Sequence, residues 1–291
     1  MAEELLSPLV DFLFKRIFGD PDNTEILIAF LNGIFEDTGD PLVESVELLN
    51  PFIDKDALTD KMSVLDIRAK TQTDTLIDIE IQIRNAGNMR ARSLYYWAKL
   101  YEGQIHAGDP YHALNPAIAI NVLNFVELAN DRVHNVFHVR NADGEVLTDH
   151  LALHFLELPK MRQNLTPSSQ HLMRWLLFLV TQTKPGLEEL VKEDRIMEKA
   201  LNVLEFLSQD EQTRLLYEAR QKGLHDYVSA IASAEEKGEK KGREEGREEG
   251  EHQHAISTAR KMLLAGLAVE QIAEFVNLSV DEVEAMRKGT H

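Results

Sequence analysis

The segment LIDIEIQIR, residues 76–84, alternates between apolar and polar positions without interruption. Its isoleucines share one face, while Asp78, Glu80 and Gln82 share the other. A period of two predicts a β-strand whose apolar face lies against a core. The polar face is unusual for a strand in the middle of a sheet, because it carries two acids and an amide.

The surrounding patterns predict a mixed α/β core in the order α-β-β-β-α-β. Helices are expected at residues 8–18, 24–35 and 88–107, the first capped by Ser7 and followed by Gly19. The other strands are expected at residues 43–50, 63–72, 116–125, 133–139 and 146–158. The run at 116–125 is almost continuously apolar, so we place it inside the sheet. Helical patterns continue from residue 168 to about 233.

The composition changes at residues 235–251, where glycines at 238, 242, 246 and 250 recur with a period of four among Glu, Lys and Arg. Such a tract cannot bury a core, and it is either a flexible linker or a charged helix. Glycine costs about 1 kcal/mol per helical site relative to alanine, so a helix here is expected to need a partner chain. If the tract is helical, we therefore expect a homodimer formed through the C-terminal region.

The last part of the chain, residues 252–291, regains a helical pattern. Short helices are expected with breaks at AGL and NLS, and Ser279 followed by Glu282 predicts a capping box. This arrangement is typical of a helix-turn-helix, which many non-DNA-binding tails share. The predicted organisation is a core at 1–160, a helical extension at 161–234, the charged tract at 235–251 and this small helical tail.

Composition narrows the class of protein. The chain contains no cysteine, which excludes disulfides, thiol nucleophiles and cysteine-ligated zinc. The N-terminus has no signal-peptide pattern, and the longest apolar run is too short to span a bilayer. We therefore expect a cytoplasmic protein that makes no contact with membranes.

Charge gives two opposing indications. The net charge is −18, from 31 basic and 49 acidic residues, which taken alone disfavours a nucleic-acid binder. Residues 61–101, however, hold seven basic residues against four acidic ones. A local basic field can attract phosphate at short range, although an ordinary solvated helix face would have the same composition. Candidate phosphate contacts in this window are Arg84, Arg90 and Arg92.

The acids predict a metal site if the strands at 63–72 and 76–84 are neighbours. Asp66 would then lie on the same side of the sheet as Asp78, Glu80 and Gln82, about 5 Å from its cross-strand neighbour. Carboxylate oxygens suit Mg²⁺ or Mn²⁺, and the backbone carbonyl of Ile81 can complete the set. Gln82 would orient a water or a scissile phosphate.

Alternation alone favours a half-exposed sheet edge with polar residues facing water. Two features favour the metal site. The strand lies in the middle of the element order, where a helix should cover its polar face. A covered row of acids then needs a compensating partner such as a metal.

These residues also carry a family resemblance. LDIRAKT followed by IDIEIQ resembles the D…ExQ variant of the PD-(D/E)xK nuclease signature, and the α-β-β-β-α-β order is the core of that superfamily. DFLFKRIFG near the start and RSLYYWAKLYEGQIHAGDPYHALNPAIAINVLNF after the strands extend the match over the first half of the chain. Together they resemble the PD-(D/E)xK nuclease family transposases, also called Rpn-type recombination-promoting nucleases.

The resemblance implies a restriction-endonuclease-like core and assigns roles to single residues. Asp66 and Glu80 match the two metal-binding acids, and Gln82 stands where most of the superfamily has lysine. Asp11 lies in the first helix, where related nucleases often carry an acid, so it and Asp78 are candidates to line the site. On the helix after the catalytic strand, Arg92 and Tyr96 share a face at i,i+4 and are candidate phosphate contacts. Tyr95 is expected in the core, and Asp78 is expected to be solvated.

Two functions remain open at this point. The first is a Mg²⁺- or Mn²⁺-dependent DNA endonuclease linked to recombination or mobile elements. The second is a DNA-binding or regulatory protein that keeps the nuclease fold without efficient turnover, which Gln82 and the acidic balance would fit. A third role, as an assembly protein that pairs two chains through the charged tract, is compatible with either.

Overall fold

The structure, a computed structural model, describes residues 5–49, 67–85, 87–161 and 169–288 of the 291-residue chain. Asp66, the first predicted metal ligand, and the start of its predicted strand lie outside the described residues. The chain forms two compact units, Met1–Arg220 and Gln221–His291.

Within the described residues, six strands form one mixed sheet in the order β1-β2-β3-β4-β6-β5. The pairs β3–β4 and β4–β6 are parallel, and the others are antiparallel. The strand of alternating isoleucines is β3, so it lies inside the sheet as expected. The strands are β1 (Val46–Leu48), β2 (Ile67–Thr71), β3 (Leu76–Gln82), β4 (Ala117–Leu123), β5 (His134–Phe137) and β6 (Leu151–Glu157).

Helices flank the sheet and continue beyond it. Short 3₁₀ helices occupy Pro21–Asn23 and Tyr111–Ala113. The α-helices of the described chain are α1 (Asp11–Phe18), α2 (Thr24–Thr38), α3 (Met89–Glu102), α4 (Leu158–Met161), α5 (Gln170–Val180), α6 (Lys184–Val191), α7 (Arg195–Gln209), α8 (Glu211–Leu264), α9 (Val269–Val276) and α10 (Val280–Lys288).

The two faces of the sheet pack against different helices. The isoleucines of β3 join the main core, which also contains residues of α1, α2, α5 and α7. At its centre, the ring of Phe18 lies 5.1 Å from that of Phe30 and 5.6 Å from that of Trp175. On the opposite face, Met89 and Trp97 of α3 pack against apolar residues of β4 and β6. The polar face of β3 is therefore on the α3 side.

Several predicted boundaries are wrong. The first helix begins at Asp11 with Val10 as its cap, because residues 7–10 form a turn closed by the Val10 amide and the Ser7 carbonyl. Ser7 is therefore not the helix cap. The second helix runs on to Thr38 and ends where Gly39 takes a left-handed conformation. The helix after β3 ends at Glu102 before Gly103, and β6 begins at Leu151 rather than residue 146.

The charged tract is helical and lies within α8, where its residues are exposed. Ion pairs spaced four residues apart run along it, including Arg243 with Glu239 at 2.7 Å. Of the two predicted alternatives, linker or helix, the helix is confirmed. The expected homodimer stays a prediction.

The breaks predicted near the C-terminus are confirmed. Gly266 and Asn277 adopt left-handed backbone conformations between the helices. The capping box also forms, since the Glu282 amide donates to Ser279 Oγ at 3.2 Å and the Ser279 amide donates to Glu282 Oε2 at 2.8 Å. The hydrogen bonds from Ser279 lower the pKa of Glu282.

Candidate active site

The acids of β3 are buried. Asp78 is 2% exposed and Glu80 is 5% exposed. The prediction that a helix covers this polar face is confirmed, and the alternative of a half-exposed sheet edge is wrong. The expectation that Asp78 is solvated is also wrong, because it pairs with Arg68 Nε at 3.2 Å across the β2–β3 register.

Glu80 lies between a neighbour on its own strand and a side chain from the covering helix. Gln82 Nε2 and Arg92 Nε each lie 3.5 Å from Glu80 Oε2. These are two of the contacts of Glu80. The structure therefore brings together three of the residues predicted for the site from sequence.

Arg92 connects this site to the surface. Its side chain is 37% exposed, so part of the guanidinium reaches solvent while Nε is buried against Glu80. The guanidinium carbon lies 5.2 Å from the centroid of the Tyr96 ring, a cation–π geometry. The predicted pairing of Arg92 and Tyr96 on one helix face is present.

Two other predicted residues have structural partners of their own. Asp11 pairs with Arg220 in α8. Arg90 donates to Glu127 Oε1 at 2.7 Å and to the Glu127 carbonyl at 2.8 Å. These contacts give both side chains a role in the fold, whatever else they do.

The remaining predicted residues, Arg84, Ile81 and Tyr95, lie in different environments. Arg84 follows β3, and its Nη1 is buried without a hydrogen-bond partner in the part of the chain that the structure describes. The side chain of Ile81 belongs to the opposite, apolar core. Tyr95 is 58% exposed, so its predicted place in the core is wrong: the helix turns this position outward while Met89 and Ser93 face the sheet.

One polar residue next to Glu80 was missed. Asn121 of β4 pairs in register with Glu80, and its Nδ2 donates to Ser93 Oγ at 2.8 Å and to the His154 carbonyl at 3.0 Å. It thereby fixes α3 to the sheet beside the acids. The available signal was a single amide inside the apolar run AIAINVL.

A second buried carboxylate, Glu157, lies at the end of β6 and was not singled out from sequence. Its Oε2 lies 2.6 Å from Lys160 Nζ, and its Oε1 accepts from the backbone amides of Glu127 and Leu128 at 2.7 and 3.0 Å. Lys160 also donates to the Arg132 carbonyl at 3.0 Å. This network ties the loop after β4 to the end of β6.

The apolar side of the sheet contains a buried histidine pair. His134 Nδ1 lies 2.7 Å from Asp37 Oδ2, and His134 Nε2 lies 3.0 Å from His154 Nδ1. Burial lowers the pKa of His154 well below its usual range, and His134 and His138 add to this effect. His154 therefore stays neutral in the folded protein at neutral pH.

A divalent cation requires hard oxygen ligands, and the Glu80 carboxylate is such a ligand. Among the described residues, no group of three or more His, Cys, Asp or Glu side chains is placed to hold a metal. The other acid predicted as a ligand, Asp66, lies outside those residues. No helix in the described ranges is long and apolar enough to cross a membrane.

A mixed sheet flanked by helices, with carboxylates buried on a central strand, defines a fold of the PD-(D/E)xK type. The family model described as PD-(D/E)XK nuclease family transposase matches residues 8–234, well over half of the chain. The chain belongs to this family. No curated protein and no solved structure matches it.

Proposed function

We propose that this protein is a metal-dependent DNA endonuclease that hydrolyses phosphodiester bonds in DNA recombination or mobile-element biology. The observation that supports this most is the buried Glu80 on a central strand, with Gln82 and Arg92 beside it. Membership of the nuclease family supports the same chemistry.

In this proposal, Glu80 and Asp66 hold Mg²⁺ or Mn²⁺, with the Ile81 carbonyl as a further ligand. The described β2–β3 pairs run as far as Ile67 opposite Ile79, and one more pair in that register would set position 66 against Glu80. When bound, the ion polarises the phosphodiester and lowers the pKa of a water.

The other side chains position the substrate. Gln82 orients the attacking water or the scissile phosphate through its amide. Arg84, Arg92 and Tyr96 donate to flanking phosphate oxygens. The water oxygen bonds to phosphorus, one P–O ester bond breaks, and the proton of the water ends on the leaving oxygen. Arg90 would contact a phosphate only if its hydrogen bonds to Glu127 were broken.

The test is nicking of a supercoiled plasmid in Mg²⁺ or Mn²⁺. Asp66→Ala and Glu80→Gln should each slow nicking by at least about 100-fold, on the scale of losing one electrostatic stabiliser of a transition state. Asp74→Asn is the matched control, because it removes an exposed acid at the β2–β3 turn, where asparagine tolerates the left-handed backbone.

Two results would contradict the proposal. In the first, Glu80→Gln nicks as fast as the unmodified protein. In the second, no divalent ion supports cleavage while DNA binding survives Asp66→Ala. That second result would instead support a DNA-binding protein that keeps the nuclease fold without turnover.

A further inference from the structure

Arg92 is the side chain that links the buried carboxylate to solvent. Its Nε lies 3.5 Å from Glu80 Oε2 and makes no hydrogen bond of normal geometry with the described residues. The contact with Glu80 is therefore mainly an attraction between opposite charges, which depends less on orientation than a hydrogen bond does.

The Tyr96 ring offers the same guanidinium a second favourable contact. With the guanidinium carbon 5.2 Å from the ring centroid, the cation can keep this contact while its other end changes partner. The 37% exposure of the Arg92 side chain leaves room for that change on the solvent side.

We propose that Arg92 is the resident counter-ion of Glu80, and that it competes with the divalent cation for this carboxylate. The inference rests on the proposed function and adds the regulation of its site. An incoming divalent ion repels the guanidinium and takes over the neutralisation of Glu80. Arg92 is then released toward a phosphate of the DNA, to which its planar fork can donate two hydrogen bonds.

Competition of this kind couples the two ligands. Because metal binding frees Arg92 for phosphate, bound metal should strengthen DNA binding, and bound DNA should strengthen metal binding by the same factor. Glu80 would then hold metal more tightly when DNA is bound than when it is absent.

Binding of Mn²⁺ to the full chain without DNA, measured by titration calorimetry, tests the competition. Arg92→Gln should bind Mn²⁺ about 5- to 10-fold more tightly than the unmodified protein, within the usual range of coupling between two sites. Arg92→Met removes the same charge while keeping an apolar stem, and it replaces the glutamine variant if that one fails to fold.

Lys99→Gln is the matched control. Lys99 lies on the same helix, and its loss changes the net charge equally. It lies seven residues further on, about 10 Å along the helix axis. Mn²⁺ affinity of this variant should stay within about 2-fold of the unmodified protein, since an exposed charge at that distance is screened by salt.

A second experiment tests the coupling by measuring duplex DNA binding by fluorescence anisotropy, once in Ca²⁺ and once in EDTA. The factor by which Ca²⁺ tightens binding should be about 5-fold larger for the unmodified protein than for Arg92→Gln, while Lys99→Gln keeps the full factor. Equal factors in the unmodified protein and Arg92→Gln would overturn the coupling.

The outcomes separate the inference from the proposed function. If Glu80→Gln abolishes Mn²⁺ binding but Arg92→Gln leaves it unchanged or weaker, the competition is overturned and the metal site stands. If the unmodified protein binds no Mn²⁺, or if binding survives Glu80→Gln, the metal site itself fails and the inference fails with it.

Discussion

Glu157 and Glu80 are both buried on the α3 side of the sheet, yet their surroundings differ. Glu157 accepts hydrogen bonds of 2.6 to 3.0 Å from Lys160 and two backbone amides. Arg92, one of the contacts of Glu80, lies 3.5 Å from it, and its side chain is 37% exposed. Lys160 is instead enclosed, with its side chain 3% exposed.

The difference separates a structural carboxylate from a candidate functional one. Glu157 has short hydrogen bonds, and its donors are an enclosed lysine and two backbone amides, so no ligand can reach it. Its role is to hold the loop after β4 against β6. A buried carboxylate whose cation reaches solvent can exchange that cation for another. Burial of an acid alone would not have distinguished the two.

The largest expected difference between Glu157 and Glu80 is in their contribution to stability. Glu157→Gln should lower the free energy of unfolding by about 3–5 kcal/mol, because it leaves the buried charge of Lys160 uncompensated. Glu80→Gln should change it by less than about 1 kcal/mol, since Arg92 can turn to solvent. Urea unfolding followed by tryptophan fluorescence measures both, because Trp97 and Trp175 both lie in the unit Met1–Arg220.

Glu157→Asp is the matched control, because it keeps the negative charge and changes only the geometry of the hydrogen bonds around residue 157. It should lose less stability than Glu157→Gln. If Glu80→Gln proves as destabilising as Glu157→Gln, Glu80 is a structural carboxylate like Glu157.

A smaller effect on stability is expected from His154, which is buried on the opposite face of the sheet. The folded state depresses the pKa of His154, so below about pH 6.5 the unfolded chain binds a proton that the folded chain does not. Stability should therefore fall on acidification from that pH, by at most about 1.4 kcal/mol per pH unit from this group.

His154→Phe should flatten the slope of stability between pH 6.5 and pH 5, as measured by urea unfolding at each pH. Glu80→Gln should leave the slope in this range unchanged. A slope that persists in His154→Phe would mean that another group controls the acid response.

The central strands could be predicted from sequence because their signal is local. The alternation in β3 and the apolar run of β4 are set by burial on one or both faces, and those patterns survive in the sequence. The order of the elements predicted that a helix covers the polar face of β3, and the burial of Glu80 agrees with that prediction.

The polar partners could not be predicted, because they come from distant parts of the chain. His134 and His154 meet Asp37 from α2, and Glu157 meets the amides of residues 127 and 128. A single polar residue inside an apolar run, as in AIAINVL or LALHFLE, shows that a buried hydrogen-bond partner is needed. It does not show which residue that partner is. Asp78 differs from these cases, because its partner Arg68 lies on the neighbouring strand β2, yet its burial was not predicted.

The most direct test of the account is the location of Mn²⁺ by anomalous diffraction from crystals of the protein soaked in that ion. The account predicts a peak about 2.0–2.2 Å from a carboxylate oxygen of Glu80 and one of Asp66, with Arg92 turned away from Glu80. An ion bound elsewhere, or none at Glu80 at saturating Mn²⁺ with Arg92 still paired to it, would contradict the account.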